Sequence, residues 1–274
     1  LFRGFQNLNR FVVIDPSEGL SLASSHGLIE IQAHPGIDIG SLAAILEMPR
    51  TSVATIVLSL VKQRLVSVSK SKHDARHRSL KITKRGATLL ARTDPEIDAH
   101  LAWVLSPLQT GEQAVLREFF RKLADGMGSP TCHARSTEHP FRHQLRRATR
   151  ALRLIHADFM GTKLGSPEWQ VLAKLKEAGT TISISQLAAE LQLYLSTATT
   201  ICARLKERGY IRSAKNPADR RVALISLTTA GDDFMQRMES EISNRVSHAL
   251  EKLPTQELQY ELKVFERLIE AKRG

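Results

Sequence analysis

Between residues 182 and 231 apolar residues recur first at helical spacing and then in alternation. Leu187, Leu191, Ala198, Ile201 and Leu205 fall on one side. That spacing predicts a short helix over Ser185–Glu190, a turn through Leu191–Leu195 and a second helix over Ser196–Arg208. Ser196 and Thr197 can accept from free N–H groups at the helix start, and Gly209 supplies the left-handed backbone on which helices often end. Thr197, Thr200, Arg204 and Arg208 are left on the opposite face. Two strand-like runs follow, Tyr210–Ala214 and Val222–Leu227, joined by a polar, basic loop. Helix, turn, polar-faced helix and basic hairpin is the order of a winged helix-turn-helix, whose second helix suits the DNA major groove.

The same pattern occurs earlier in the chain, at an offset of 145 residues. Ile37 and Ile39 fall on Ile182 and Ile184, Leu42-Ala43-Ala44 on Leu187-Ala188-Ala189, and Leu46 on Leu191. Thr55-Ile56 falls on Thr200-Ile201, Leu60 on Leu205, and Lys70, Asp74 and Arg76 on Lys215, Asp219 and Arg221. Thr83 and Gly86 fall on Thr228 and Gly231, and no gap is needed from 37 to 86. These identities sit at core and wing positions, so the chain reads as two copies of one domain.

Copy one is expected over 1–124: helices at Phe2–Val13 and Ser25–Ala33, a helix-turn-helix over Ile39–Arg64, a wing over Leu65–Ile82, and helices at Thr83–Leu105 and Thr110–Ala124. Residues 125–140, rich in Gly, Pro, Ser and Thr, read as a linker. Copy two, 141–274, repeats the order with helices at Phe141–Gly161, Pro167–Ala178, Thr228–Lys252 and Thr255–Lys272 around the segment already described. The expected class is mainly α with small β wings.

Composition narrows the partners. The chain has 274 residues, 39 Lys and Arg against 28 Asp and Glu, and a pI near 9.9, which favours an anionic partner, nucleic acid first. No apolar run approaches the ~20 residues needed to span a bilayer, so no membrane partner is expected. The first residues lack the apolar core of a signal peptide. Two cysteines, Cys132 and Cys202, make no disulfide framework and fit a cytoplasmic setting.

Asp219-Arg220-Arg221, followed through Val222–Ser226 by Leu227-Thr228-Thr229-Ala230-Gly231, matches an Asp-x-Arg to Leu-Thr-x-x-Gly wing pattern. Placed after a helix-turn-helix, it resembles the MarR family of winged-helix transcription regulators. In that family the first and last two helices of each subunit interlock into a homodimer. The resemblance therefore implies a single-chain pseudo-dimer, monomeric apart from any higher assembly, with two winged helix-turn-helix domains on a shared helical core. It implies double-stranded DNA as partner, a small aromatic or anionic effector, and regulation by a repressor that the effector releases. Arg76 and Arg221 would be the wing arginines reaching the minor groove, with Arg78 and Arg220 beside them, and Asp74 and Asp219 would hold the wing tips. Base readout would fall to the start of the second helix, Pro49, Arg50, Thr51, Ser52, Ala54 and Thr55 in copy one and Tyr194, Leu195, Ser196, Thr197, Thr199 and Thr200 in copy two. Arg204 would be among the basic DNA-binding residues around that helix and wing. Copy two departs from the family at Tyr194 and Leu195, and copy one at Arg64, where Gly209 is the counterpart. The competing reading of the charges is a solvated face, and of the apolar Leu58, Tyr194 and Leu195 a protein-binding surface with DNA binding lost in one head.

Other chemistry is sparse. His26, Trp103, His156 and Trp169 are candidates for an effector crevice, with structural or core packing as the alternative. Cys202 would be a thiol sensor if Arg204 or Arg208 lowered its pKa, and otherwise a small buried hydrophobe. Cys132, His133, His139 and His143 lie close in sequence but match no zinc spacing, so no metal and no cofactor is expected. There is no Gly-rich phosphate loop, G-x-S-x-G or H-E-x-x-H, which argues against an enzyme.

Overall fold

The computed structural model describes residues 20–70, 78–130, 139–156, 162, 164–191, 193–219, 222–251 and 253–271, with the backbone alone at Lys70 and Ser166. In order, its elements are α1 (Leu22–Ala33), α2 (Ile39–Leu46), α3 (Arg50–Lys62), β1 (Val66–Lys70), β2 (Arg78–Ile82), α4 (Lys84–Leu105), α5 (Thr110–Gly126) and α6 (Pro140–Ala151). There follow α7 (Ser166–Ala178), β3 (Ile182–Ser183), α8 (Ile184–Glu190), α9 (Leu195–Glu207), β4 (Ile211–Lys215), β5 (Ala223–Leu227), α10 (Thr229–Leu250) and α11 (Thr255–Ala271). The mainly helical class with small wings is what the sequence predicts. Under the 145-residue shift, α3 lies on α9, β1 on β4, β2 on β5, α4 on α10 and α5 on α11, with both ends of each element in register.

The shared Thr-x-x-Gly has a backbone reason. Thr83 Oγ1 donates to the carbonyls of Arg64 (2.7 Å) and Leu65 (3.1 Å) while accepting from the Gly86 N–H at 3.1 Å, so one hydroxyl caps α4 and ties it to the start of the wing. Thr228 does the same with Gly209 (2.6 Å) and Gly231 (3.0 Å). A Cβ on Gly86 would collide with the Leu65 carbonyl, and one on Gly231 with the Tyr210 carbonyl, so both positions need glycine for close approach.

The chain forms two compact units, residues 1–155 with 246–274, and residues 156–245. In the first, Leu28, Ile31, Leu42, Leu46, Val53, Val57, Leu60, Leu80 and Leu90 form the core of the winged helix. β1 and β2 pair antiparallel with Val66 opposite Ile82, and two further backbone bonds join Leu80 to Gly36 and Ile37. In the second, Ile182 begins a true strand, giving a three-stranded sheet ordered β3-β5-β4. Its core includes Trp169, Leu172, Leu187, Ala198, Ile201, Leu205, Ile225 and Phe234.

These units do not follow the 1–124 and 141–274 division. Helix α6, the end of α10, and α11, all from the second repeat, belong with the first unit. Their apolar faces account for this: Phe120 sits 5.5 Å from Phe141 and 5.9 Å from Phe265, and Leu123, Leu145, Ala148, Val264 and Leu268 are buried around them. Gly126 lies against the Ala249 carbonyl, where no side chain would fit. The linker is also shorter than expected. Residues 125 and 126 are helical and 127–128 turn, and Arg147 ties the segment down by donating to Asp125 (2.7 Å) and to the carbonyls of Ser129 (3.1 Å) and Pro130 (3.3 Å). Helix α1 starts three residues earlier than expected, capped by Ser21, whose Oγ accepts from Ser24 N–H at 3.1 Å. Helix α6 ends at Ala151, ten residues before the expected Gly161, and Arg153 then turns left-handed (φ 56°). The helix expected at Phe2–Val13 lies outside the described residues.

Candidate nucleic-acid interface

Each unit presents one helix-turn-helix. In the first, Asp38 caps α2 by accepting from Gly40 (2.6 Å) and Ser41 (3.0 Å), and the chain turns at Glu47 (φ 56°) into α3. Val53, Ile56, Val57 and Leu60 anchor α3 inward; Arg50, Thr51, Thr55, Leu58 and Lys62 point outward, and Ser52 is half-buried. The Arg50 guanidinium folds back over Gly40 of α2. Leu58, 69% exposed, is an unusual residue on so polar a face. Beside it Arg78, Lys81, Lys84 and Arg85 are exposed, while Asp74 and Arg76 lie outside the described residues.

In the second unit Ala198, Ile201, Cys202 and Leu205 are the buried anchors of α9, and Ser196, Thr197, Thr200, Arg204 and Arg208 are exposed. The helix begins between two exposed apolar residues, Tyr194 at 71% and Leu195 at 56%. Arg204 Nη1 donates to Glu168 Oε1 of α7 at 3.3 Å. Pro167 and Glu168 with Ser196, Thr197, Thr200, Ile201 and Arg204 line a groove of about 350 Å³. On the wing Arg212 and Lys215 are exposed, and Arg212 Nε donates to Ser226 Oγ at 3.1 Å. The hairpin end is held by Asn216, whose Oδ1 accepts from Ala218 N–H at 3.0 Å, and by the Val222 N–H donating to the Asp219 carbonyl at 2.9 Å. The place of Asn216 before Pro217 in a basic loop is the sequence signal for such a turn. Arg220 and Arg221 lie outside the described residues.

The helix threonines share a bonding habit. Thr55 donates to the Thr51 carbonyl (3.1 Å), Thr199 to Leu195 (2.7 Å) and Thr200 to Ser196 (2.9 Å). With the proton held by the helix, each hydroxyl offers outward only lone pairs. Such acceptors complement the N6 amine of adenine or the N4 amine of cytosine.

At Cys202, Trp169 and His156 the packing alternative holds over the sensor or crevice role. Cys202 is 4% exposed, and burial pushes its thiol up to about 11, so it is a packed hydrophobe and not a thiolate sensor. Trp169, 1% exposed, packs on Phe234 (6.4 Å) in the second core, so it does not line a crevice. His26 and His156 are buried, and Trp103 is exposed beside His100 (5.3 Å). Burial, then the charges of Arg150 and Arg146, hold the His26 pKa well below the usual imidazole range. His139 Nδ1 caps α6 by accepting from Phe141 N–H (3.2 Å), while Cys132 and His133 lie outside the described residues.

The basic helix α6 is internal, which the sequence did not disclose. Arg142, Arg146, Arg147 and Arg150 are all at most 4% exposed. Arg142 pairs with Asp94 (2.9 Å) and Asp98 (3.0 Å), Arg147 with Asp125, and Arg150 with the fully buried Glu30 (2.7 Å), to which Arg146 lies within 3.6 Å. These four cations hold helices together and are not part of a solvent-facing anion surface.

Residues 164–223, the second helix-turn-helix and its wing, match the model of the MarR family. The HTH-type transcriptional repressor IacR of Pseudomonas putida is 38% identical over 76 residues, 28% of this chain and 45% of that protein. The chain thus spans under half the length of this curated relative. Among solved structures, apo wild-type MarR from E. coli is 23% identical over 41% of this chain and 85% of its own, with a TM-score of 0.36. Streptococcus pneumoniae FabT in complex with DNA is 21% identical over 44% of this chain and 85% of its own, with a TM-score of 0.37. No single helix among the described residues is long and apolar enough to cross a membrane.

Proposed function

We propose that this chain is a sequence-specific, double-stranded-DNA-binding transcription regulator, a repressor released by a small aromatic or anionic effector, with both halves of a MarR-like dimer in one polypeptide. The observation that carries the reading is the recurrence, at one offset, of an exposed helix face flanked by a basic wing: α3 with Arg78, Lys81, Lys84 and Arg85, and α9 with Arg212 and Lys215. The pseudo-dimer is supported by α6 and α11 of the second repeat packing on α5 of the first, the helices that pair between subunits in the resembled family. Arg50, Thr51, Ser52 and Thr55, and Ser196, Thr197, Thr200 and Arg204, take the role of base readers. Arg76, Arg78, Arg220 and Arg221 contact the backbone or minor groove, and Asp74 and Asp219 steady the wing tips. Phosphate neutralisation supplies most of the affinity, so binding falls steeply with salt. The regulatory reading also draws on the relative IacR, named as a transcriptional repressor.

A second reading follows from the exposed Leu58, Tyr194 and Leu195: one head has exchanged DNA for a protein partner. Gel shifts on the region upstream of the chain's own gene, with light scattering of the free protein, separate the two. The regulator gives a salt-sensitive, sequence-dependent shift by a monomeric chain. Absence of any shift at low salt, or an obligate dimer of chains, contradicts it.

A further inference from the structure

The Arg204–Glu168 pair is not repeated. At the matching positions of the first head stand Ser59 and Ala23, so both partners are absent there together. A shared scaffold does not need the pair, and an exposed ion pair adds little stability, about 0–1 kcal/mol. Its location is telling: Glu168 comes from α7 and reaches the outward face of α9, beside Thr197 and Thr200 on the wall of the groove. The two side chains are unequally exposed. Glu168 is 13% exposed and fixed at the helix junction, whereas Arg204 is 63% exposed and presented to solvent. The bond uses one of the five guanidinium N–H donors, through Nη1, and leaves the others for an incoming acceptor.

We propose that Glu168 is a positioning residue for DNA readout: it orients Arg204 so that the guanidinium reads a guanine through O6 and N7 in the half-site of the second head only. This rests on the DNA-binding reading given above. Arginine has many rotamers, and a carboxylate anchor removes that freedom before binding, which sharpens base choice. The same carboxylate adds a negative charge near the phosphates, so it disfavours unselective binding. Glu168 thus raises the ratio of specific to non-specific affinity. The first head, with Ser59 and Ala23, lacks this element, and the operator is asymmetric.

The test uses the full chain and a randomised duplex DNA library, with bound sequences read out by sequencing. The wild-type chain is expected to enrich a two-part motif with a strongly preferred guanine in one part. Glu168→Gln, which keeps side-chain shape, should lower the preference at that guanine about tenfold and leave the other part unchanged. Arg204→Ala should lose the same preference, and adding Glu168→Gln to it should change nothing further at that position. Non-specific affinity of Glu168→Gln should equal or exceed that of the wild type. A Glu168→Gln motif identical to wild type, or one weakened equally in both parts, overturns the inference while leaving DNA binding intact. A wild-type chain that enriches no motif overturns the DNA-binding reading and this inference with it.

Discussion

The two heads share a framework and differ in what that framework displays. Thr83 and Thr228, with Gly86 and Gly231, make the same bonds and the same close approach in both. Around them the residues diverge. At one position of the first helix, Glu30 in the first unit carries a buried charge where Leu175 in the second is apolar. Just past α3, Arg64 adopts φ +60°, and just past α9, Gly209 adopts φ +74°. On the outward face Arg50 and Leu58 correspond to Leu195 and Ala203. Where a side chain would strike a backbone carbonyl the glycine is kept in both, whereas positions facing solvent or a partner helix differ.

That contrast can be broken most forcefully at Glu30. Replacing it with Leu, the residue of the other repeat, removes the carboxylate at Arg150 and Arg146 and should cost roughly 3–5 kcal/mol. Equilibrium urea unfolding measures this, and a neutral result would show the repeats to be interchangeable at this position. Gly86→Ala and Gly231→Ala should each destabilise by roughly 2–3 kcal/mol, because the methyl group meets a backbone carbonyl. A large loss in one and none in the other would contradict the shared clamp. Arg64→Gly should stabilise by about 1 kcal/mol by relieving a left-handed arginine, and Gly209→Arg should lose a similar amount.

At His26 the first unit also gains a pH dependence. His26 binds its proton less readily folded than unfolded, so the unfolded chain takes up more protons as pH falls below about 6.5. Stability should fall with acidification from that point, by at most about 1.4 kcal/mol per pH unit for this group. The counterpart in the second unit is Val171, which does not titrate. Thermal unfolding of His26→Asn should show a flatter acid limb; an unchanged limb would assign the dependence elsewhere.

Much of the framework was legible because its signals are local or periodic. Apolar spacing placed α8 and α9, the Thr-x-x-Gly marked the start of the long helix, and one offset brings α3, α4 and α5 into register with α9, α10 and α11. What escaped needed partners distant in sequence. A helix reading PFRHQLRRATRA looks solvated until Glu30, Asp94, Asp98 and Asp125 are brought to it. Glu168 reads as a helix-start acid until Arg204, 36 residues on, closes over it. Arg50 and Arg78 are exposed, whereas Asp74, Arg76, Arg220 and Arg221 lie outside the described residues.

The most direct check is a DNase footprint of the full chain on a duplex carrying its selected sequence, with the mass of the complex measured in the same buffer. One chain per duplex, protecting two unlike half-sites in successive major-groove faces, is the result this account predicts. Protection of a single half-site, or two chains on one duplex, would contradict it.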